Sequence, residues 1–352
     1  MYSKHDITVF MTRIATIPAI LISFLLIIIT VSCRRDPYKV NVSGVQLDLE
    51  IRDLGSDIFG TPPNEMATMV DSLKTGYGRA LETYSTVIGL GDPADERWKS
   101  AFILFATDLR NLDLWDEVKR VWPDTEGLRQ ELESAFRHYR YYFPDRVVPE
   151  VITCISVFNN SIIVDDSLLM VSLDRYLGAD SEYYPPLGIY DYQARKMTPA
   201  YAASDCMYAW AATEWDYNSA GYGTKTLLNS MLHEAKLVYF TRRMMPSLPD
   251  TVLFGFTGRQ LEFCRTGEGL IWEYLLSKDL LFSTDGFLIR KFTGEAPFTS
   301  YFTEESPGRA VVWTGFRIIE RYMNNNPDVT MQELMAMTDC QTILGGAKYN
   351  PD

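Results

Sequence analysis

Met231-Leu232-His233-Glu234-Ala235-Lys236-Leu237 lies inside a run, Thr224 to Met244, that is apolar at Leu228, Leu232, Ala235 and Tyr239. Spacings of three and four residues put those side chains on one stripe, so the run reads as a helix with a core-facing side. The same spacing predicts helices at Asn64–Ile88, about Ala94–Leu112 and Glu126–Tyr142 before it. It predicts others at about Gly258–Phe282, Gly308–Met323 and Met331–Met337 after it. Strand-like sequence is scarce. Val45–Leu54 alternates apolar and polar residues, and Val151–Phe158, Ser161–Val164 and Leu168–Leu173 are short apolar runs with Asn159-Asn160 as a turn. The expected fold class is α+β, predominantly helical, with a small antiparallel sheet. At 47% hydrophobic and 22% charged residues the chain is globular, and no repeat or change of composition marks a second domain.

The pair His233-Glu234 is the chemistry-bearing feature of the central helix. In a His-Glu-x-x-His helix two histidines one turn apart hold zinc and the glutamate activates the bound water. Position 237 is leucine, and the whole chain has three histidines, His5, His138 and His233. Gly267-Glu268-Gly269-Leu270-Ile271-Trp272-Glu273-Tyr274 resembles the helix that gives such enzymes a third ligand, a glutamate. His233 and Glu268 supply only one imidazole and one carboxylate, too few for tight zinc binding. The expectation is a zincin-like domain with a vestigial site at His233, Glu234, Lys236 and Glu268, without catalytic residues, metal or cofactor. Zinc belongs to the alternative, a peptidase with Glu234 as general base and His233 and Glu268 as ligands. A lysine beside Glu234 or Glu268 would take the electrostatic role of the lost cation. Arg309, Arg317 and Arg321 either pair with those carboxylates or form a solvated face.

Other classes fail on composition or spacing. A net charge of -13 argues against nucleic acid as a partner. Gly221-Tyr222-Gly223-Thr224-Lys225-Thr226 lacks the glycine before lysine that a phosphate loop needs, and reads as a turn before a helix. No G-x-S-x-G elbow occurs. Cys154, Cys206, Cys264 and Cys340 form no C-x-x-C pair, and Cys154 reads as a buried free thiol. Tyr176–Tyr222, rich in tyrosine, reads as loops on the helical core or as the lining of a glycan or peptide cleft.

The N-terminus is an address. Lys4 and Arg13 precede an uncharged run, Ile14 to Ser32, that ends at Cys33-Arg34-Arg35. Thr30-Val31-Ser32-Cys33 resembles a lipobox, which implies cleavage before Cys33 and acylation of its thiol and amine. The other reading is an uncleaved anchor helix. The expected division is a signal peptide over 1–32, a lipid-anchored linker over 33–43 and one domain over 44–352.

Several stretches taken in order resemble the gliding-motility-associated lipoprotein GldB family of the Bacteroidetes. They are Arg52-Asp53, Asp57-Ile58-Phe59, Leu173-Asp174-Arg175-Tyr176-Leu177-Gly178, His233-Glu234-Ala235-Lys236, Tyr239-Phe240 and Glu268–Tyr274. Ser306-Pro307-Gly308-Arg309, Trp313–Ile319 and Ala347-Lys348-Tyr349-Asn350-Pro351 complete the set. The resemblance implies a cell-envelope lipoprotein tied to gliding and to the type IX secretion machinery, with no established catalysis and with kinship to predicted zincin-like proteases. It implies a membrane contact through lipidated Cys33, envelope proteins as partners and no nucleic acid. Arg34-Arg35 in place of an acidic run points to a periplasm-facing position.

Overall fold

The computed structural model describes residues 37–351, so Cys33 and the leader lie outside the described residues. The helices of eight residues or more are α1 (Met66–Tyr77), α2 (Arg79–Val87), α3 (Trp98–Thr107), α4 (Leu109–Val121), α5 (Glu126–Tyr142) and α6 (Pro199–Glu214). They continue with α7 (Leu227–Met244), α8 (Gly258–Thr266), α9 (Glu268–Ser277), α10 (Gly286–Thr293), α11 (Ala310–Asn325) and α12 (Cys340–Ala347). From Val40 onward the chain is one compact unit.

Helix α7 is the axis of the molecule. Thr226 caps it by accepting from the Asn229 amide, so the helix begins at Leu227 rather than at Thr224. Almost every side chain along it is buried, the polar Ser230, His233, Lys236 and Arg242 included. It packs against α5, α6, α10 and α11. The closest approach is to α11: a Cβ on Gly315 would lie 2.9 Å from Met231 Cγ and 3.0 Å from Ala235 Cβ. A helix buried on all sides is the natural place for polar groups to be forced into pairs.

The sheet corrects the expectation of an antiparallel one. Strands β1 (Ile51–Asp53), β2 (Glu150–Cys154), β3 (Ile162–Asp165) and β4 (Leu168–Ser172) lie in the order β1-β2-β4-β3. The β1–β2 and β2–β4 pairs are parallel, with Arg52 opposite Ile152 and Ile152 opposite Met170, and only β3–β4 is antiparallel. Interior strands β2 and β4 are buried on both faces, as parallel strands usually are, whereas the edges β1 and β3 are half-exposed. An apolar run without alternation does not announce its partner, so adjacency in sequence suggested hairpins where the chain makes a crossover.

Local capping explains the other differences. Asp53 accepts from the Ser56 amide and starts a short helix, Leu54–Phe59, which cuts the Val45–Leu54 strand down to β1. Gly78, at φ +49°, divides Asn64–Ile88 into α1 and α2, and Asp108 caps α4 and divides it from α3. Gly267 separates α8 from α9 within Gly258–Phe282. The tyrosine-rich stretch contains α6, a buried core helix rather than loops alone. Neither α10 nor α12 was expected. Gly221–Thr226 is a turn before a helix, as read. All four described cysteines, Cys154 among them, are buried free thiols. No described helix is long and apolar enough to cross a membrane.

Candidate functional site

Glu234 leaves the middle of α7 and meets a guanidinium. Arg309 Nη2 lies 2.7 Å from Glu234 Oε2 and 3.1 Å from the Tyr208 hydroxyl, which itself donates to Glu234. Arg309 Nη1 reaches Glu295 at 3.2 Å, and Lys196 donates to the same carboxylate at 2.7 Å. Burial pushes the Glu295 carboxyl up, but Arg309 and Lys196 outweigh it and hold the group below its ordinary range. The network therefore joins α6, α7, the loop before α11 and the segment after α10.

Two cavities flank it. One, of about 160 Å³, is lined by Lys196, Asp205, Tyr208, Phe254, Glu295 and Arg309. Burial pushes the Asp205 carboxyl in its wall up to about 6, against the Tyr176 hydroxyl that donates to it at 2.9 Å. The other, of about 500 Å³, is lined by Tyr208, Tyr217, Lys225, Ser230, His233 and Glu234, among others. Tyr208 is common to both, so its hydroxyl and the Glu234–Arg309 pair form the partition.

The four residues singled out in the sequence do not converge. His233 and Glu234 share the larger cavity. His233 Nδ1 lies 3.2 Å from the Tyr222 hydroxyl, and its ring stands edge-on to the stacked rings of Tyr217 and Tyr222. Lys236 turns away from Glu234, contrary to the expectation that a lysine would replace the lost cation. It is nearly fully buried and donates to the Met335 and Met337 carbonyls at the end of helix Met331–Ala336, where a cation suits the helix dipole. Burial lowers its ammonium to about 8. Arg309 fills the place foreseen for a lysine. Glu268 belongs to another cluster, accepting from Tyr349 at 2.7 Å and facing Arg317 Nε at 3.4 Å.

These donors do not fit zinc. Tetrahedral zinc needs at least three protein ligands at one point. Glu234 Oε2 already accepts from a guanidinium and a phenol, and Glu268 is engaged elsewhere. Among the described residues no three His, Cys, Asp or Glu side chains are grouped to hold a metal ion.

The description "Gliding motility protein GldB" belongs to a family model that matches residues 35–351. The chain belongs to the GldB family. Comparison with curated proteins and with solved structures finds no match. Some of the stretches resembling GldB, scattered in sequence, meet in separate pairs. Arg309 of Ser306–Arg309 pairs with Glu234 of His233–Lys236, and Tyr349 of the C-terminal stretch pairs with Glu268. Arg52 and Asp57 converge on α1, at the Gly76 carbonyl and the Tyr77 hydroxyl.

Sequence reading missed Tyr208, Glu295, Lys196, Asp205, Tyr217, Tyr222 and Ser230 as site residues. Tyr208 and Tyr217 stood in the tyrosine-rich stretch, and Tyr222 in the glycine turn. Nothing local distinguished Glu295, Lys196, Asp205 or Ser230.

The His233 environment gives a testable consequence. Burial is the main cause that lowers its imidazole from the ordinary 6.5 to about 4, with Glu234 opposing and Lys236 assisting. The unfolded chain then takes up a proton between pH 6.5 and 4 that the native chain refuses. This group's contribution is therefore complete above pH 6.5 and is lost as pH falls, by about 2 kcal/mol at pH 5. The ring resonances of His233 are expected to stay unchanged from pH 7.5 to 5 by NMR. A titration midpoint above 6 is the contrary result.

Proposed function

We propose that this GldB-family chain is a non-catalytic, lipid-anchored component of the cell envelope that serves gliding motility by binding envelope proteins. Cleavage of residues 1–32 leaves Cys33 acylated, 33–43 as a linker and 44–352 as a single domain facing the periplasm. Two or more acyl chains hold a protein stably on a membrane, which an acidic surface would not do by itself. The domain descends from a zincin-like fold of the Bacteroidetes whose metal chemistry has been replaced, and its partners include the type IX secretion machinery. The observation that carries the non-catalytic reading is Arg309 on Glu234. The residue placed to be the general base instead holds α11 to α7 and α6.

Chromosomal replacement in the native host tests this. Cys33→Ala is expected to move the chain out of the membrane fraction and abolish colony spreading. Glu234→Gln keeps an acceptor for Tyr208 and Arg309 but loses the charge, and is expected to cost about 1–2 kcal/mol in stability while spreading persists. A Glu234→Gln chain present at normal level in cells that no longer spread would refute the non-catalytic assignment. A Cys33→Ala chain that stays membrane-bound would refute the anchor.

A further inference from the structure

The segment that joins the domain to its N-terminus is fastened at one place. Gln46 to Leu49 belongs to no strand, and side chains of α5 hold its main chain instead. Arg140 donates to the Gln46 carbonyl at 2.9 Å and Arg137 to the Leu47 carbonyl at 3.2 Å, while the Leu49 amide donates to Glu133. These contacts run backwards along the helix, so the chain coming from upstream of Gln46 meets the domain at the C-terminal end of α5. From Cys33 to Gln46 the chain spans at most about 45 Å at full extension. With Cys33 lipidated, or with residues 14–32 kept as an anchor helix, the bilayer stands at the start of that span.

That end of α5 carries the residue types that a membrane interface selects. Tyr141 and Val147 are 48% and 64% exposed, and Pro144 between them in sequence is exposed too. Apolar side chains left that open gain by leaving water. Beside them stand aromatic rings, each with a guanidinium. Arg146 lies 4.8 Å from the centre of the Trp215 ring, and Arg243 lies 5.0 Å from that of Tyr142, which Tyr141 meets edge to face. Tryptophan and tyrosine collect at headgroup depth because each has an apolar body and a polar tip, and arginine reaches phosphates while its stem stays in apolar surroundings. Arg146 also pairs with Glu214, and Asp145 is exposed next to it. With Arg140, Arg146 and Arg243 set against those two carboxylates, this end escapes the acidity of a chain whose net charge is -13.

From this juxtaposition we infer that the C-terminal end of α5 docks on the bilayer, with Tyr141 and Val147 in the headgroup layer and Tyr142 and Trp215 at its edge. A protein partner would select similar residue types. Position decides for the bilayer, because this is the end to which the tether is fastened. The rival face is α10, where Phe287 is 58% exposed and Arg290 and Lys291 follow it. It lies at the other end of α7. The Leu227 amide donates to the Ser283 carbonyl just before α10, whereas Tyr142 meets Arg243, about 24 Å further along the helix. The inference rests on the membrane-anchored reading above and adds to it the orientation of the domain.

The test uses the full-length chain in nanodiscs of phosphatidylethanolamine and phosphatidylglycerol, with a small share of headgroups carrying chelated gadolinium. A trifluoromethyl-phenylalanine placed at position 141, 147 or 287, all exposed, reports its distance from the headgroups by fluorine relaxation. Paramagnetic relaxation falls steeply with distance, so over about 24 Å positions 141 and 147 are expected to relax at least about tenfold faster than 287. Val147→Glu puts a charge where the headgroup layer begins, and is expected to slow relaxation at 141 by about threefold or more. Equal relaxation at the three positions, faster relaxation at 287, or no response to Val147→Glu would overturn the docking face. In the last case the tether alone would set the distance. A chain that copurifies with nanodiscs but lacks the contrast refutes the face and leaves the anchor standing. A chain that does not copurify refutes the anchor and the face together.

Discussion

Replacing Asp174 by alanine is expected to lower the unfolding free energy by about 4 kcal/mol, measured by urea denaturation, because one buried carboxylate holds an entire turn. Asp174 is completely buried and accepts from the Ser156 amide at 3.0 Å and the Phe158 amide at 2.6 Å. Between and at those amides the backbone is left-handed, with φ of +53° at Val157 and +64° at Phe158. A β-branched residue in that region costs on the order of 1 kcal/mol or more and persists only if its surroundings enforce it. Alanine removes both acceptors, orphans two amides at about 1–3 kcal/mol each and releases the strained turn. Asparagine keeps one acceptor, so Asp174→Asn is expected to lose about half as much.

The charge adds a pH signature. Burial pushes the Asp174 carboxyl up to about 6, and the two amides pull it back only in part. Between pH 3.8 and 6 the native chain keeps a proton that the unfolded chain releases, so this group's contribution falls as pH rises through that window. The gap between wild type and Asp174→Asn is expected to be about 1 kcal/mol wider at pH 5 than at pH 7. A narrower gap at pH 5 would show that the carboxylate is not penalised by burial. The direction is opposite to that of His233, so the two are separated by variant and not by the pH profile of the wild type.

Asp174 also shows where sequence reading stops. It lay inside a stretch matched to the family, and the strand before it was read through to Phe158. The strand ends at Cys154 because Asp174, eighteen residues after Ser156, captures the next amides. Periodicity reports which face of an element is apolar, and it located α5 and the core of α7 well. It does not report a long-range acceptor, a parallel partner or a cap such as Asp53. The candidate site divides in the same way. His233 and Glu234 were visible because an unusual pair of residue types stands on an apolar helix. Glu295 and Lys196 look like any surface ion pair until the chain folds, and Arg309 was one of three arginines with equal claims.

Gly308→Ala is expected to cost about 3 kcal/mol or more, and to do so through the same network. A Cβ at Gly308 would lie 2.2 Å from the Ala296 carbonyl oxygen and 2.9 Å from the Ala296 nitrogen. Both are backbone atoms, so no side-chain rotation relieves the contact, and the two segments must separate. Ala296 follows Glu295, and Gly308 precedes Arg309, so the separation pulls on the 3.2 Å contact between those charges. Arg309 is itself left-handed, φ +63°, at the start of α11. An ordinary side chain there costs on the order of 1 kcal/mol that glycine would not. Arg309→Gly should recover that amount and still lose contacts to Glu234, Tyr208 and Glu295, for a net cost of about 2 kcal/mol. Arg309→Lys keeps the backbone cost and one charge but not the fork, and should fall near the same value. If Arg309→Gly proved as stable as wild type, relief of backbone strain at position 309 would equal what the contacts to Glu234, Tyr208 and Glu295 contribute.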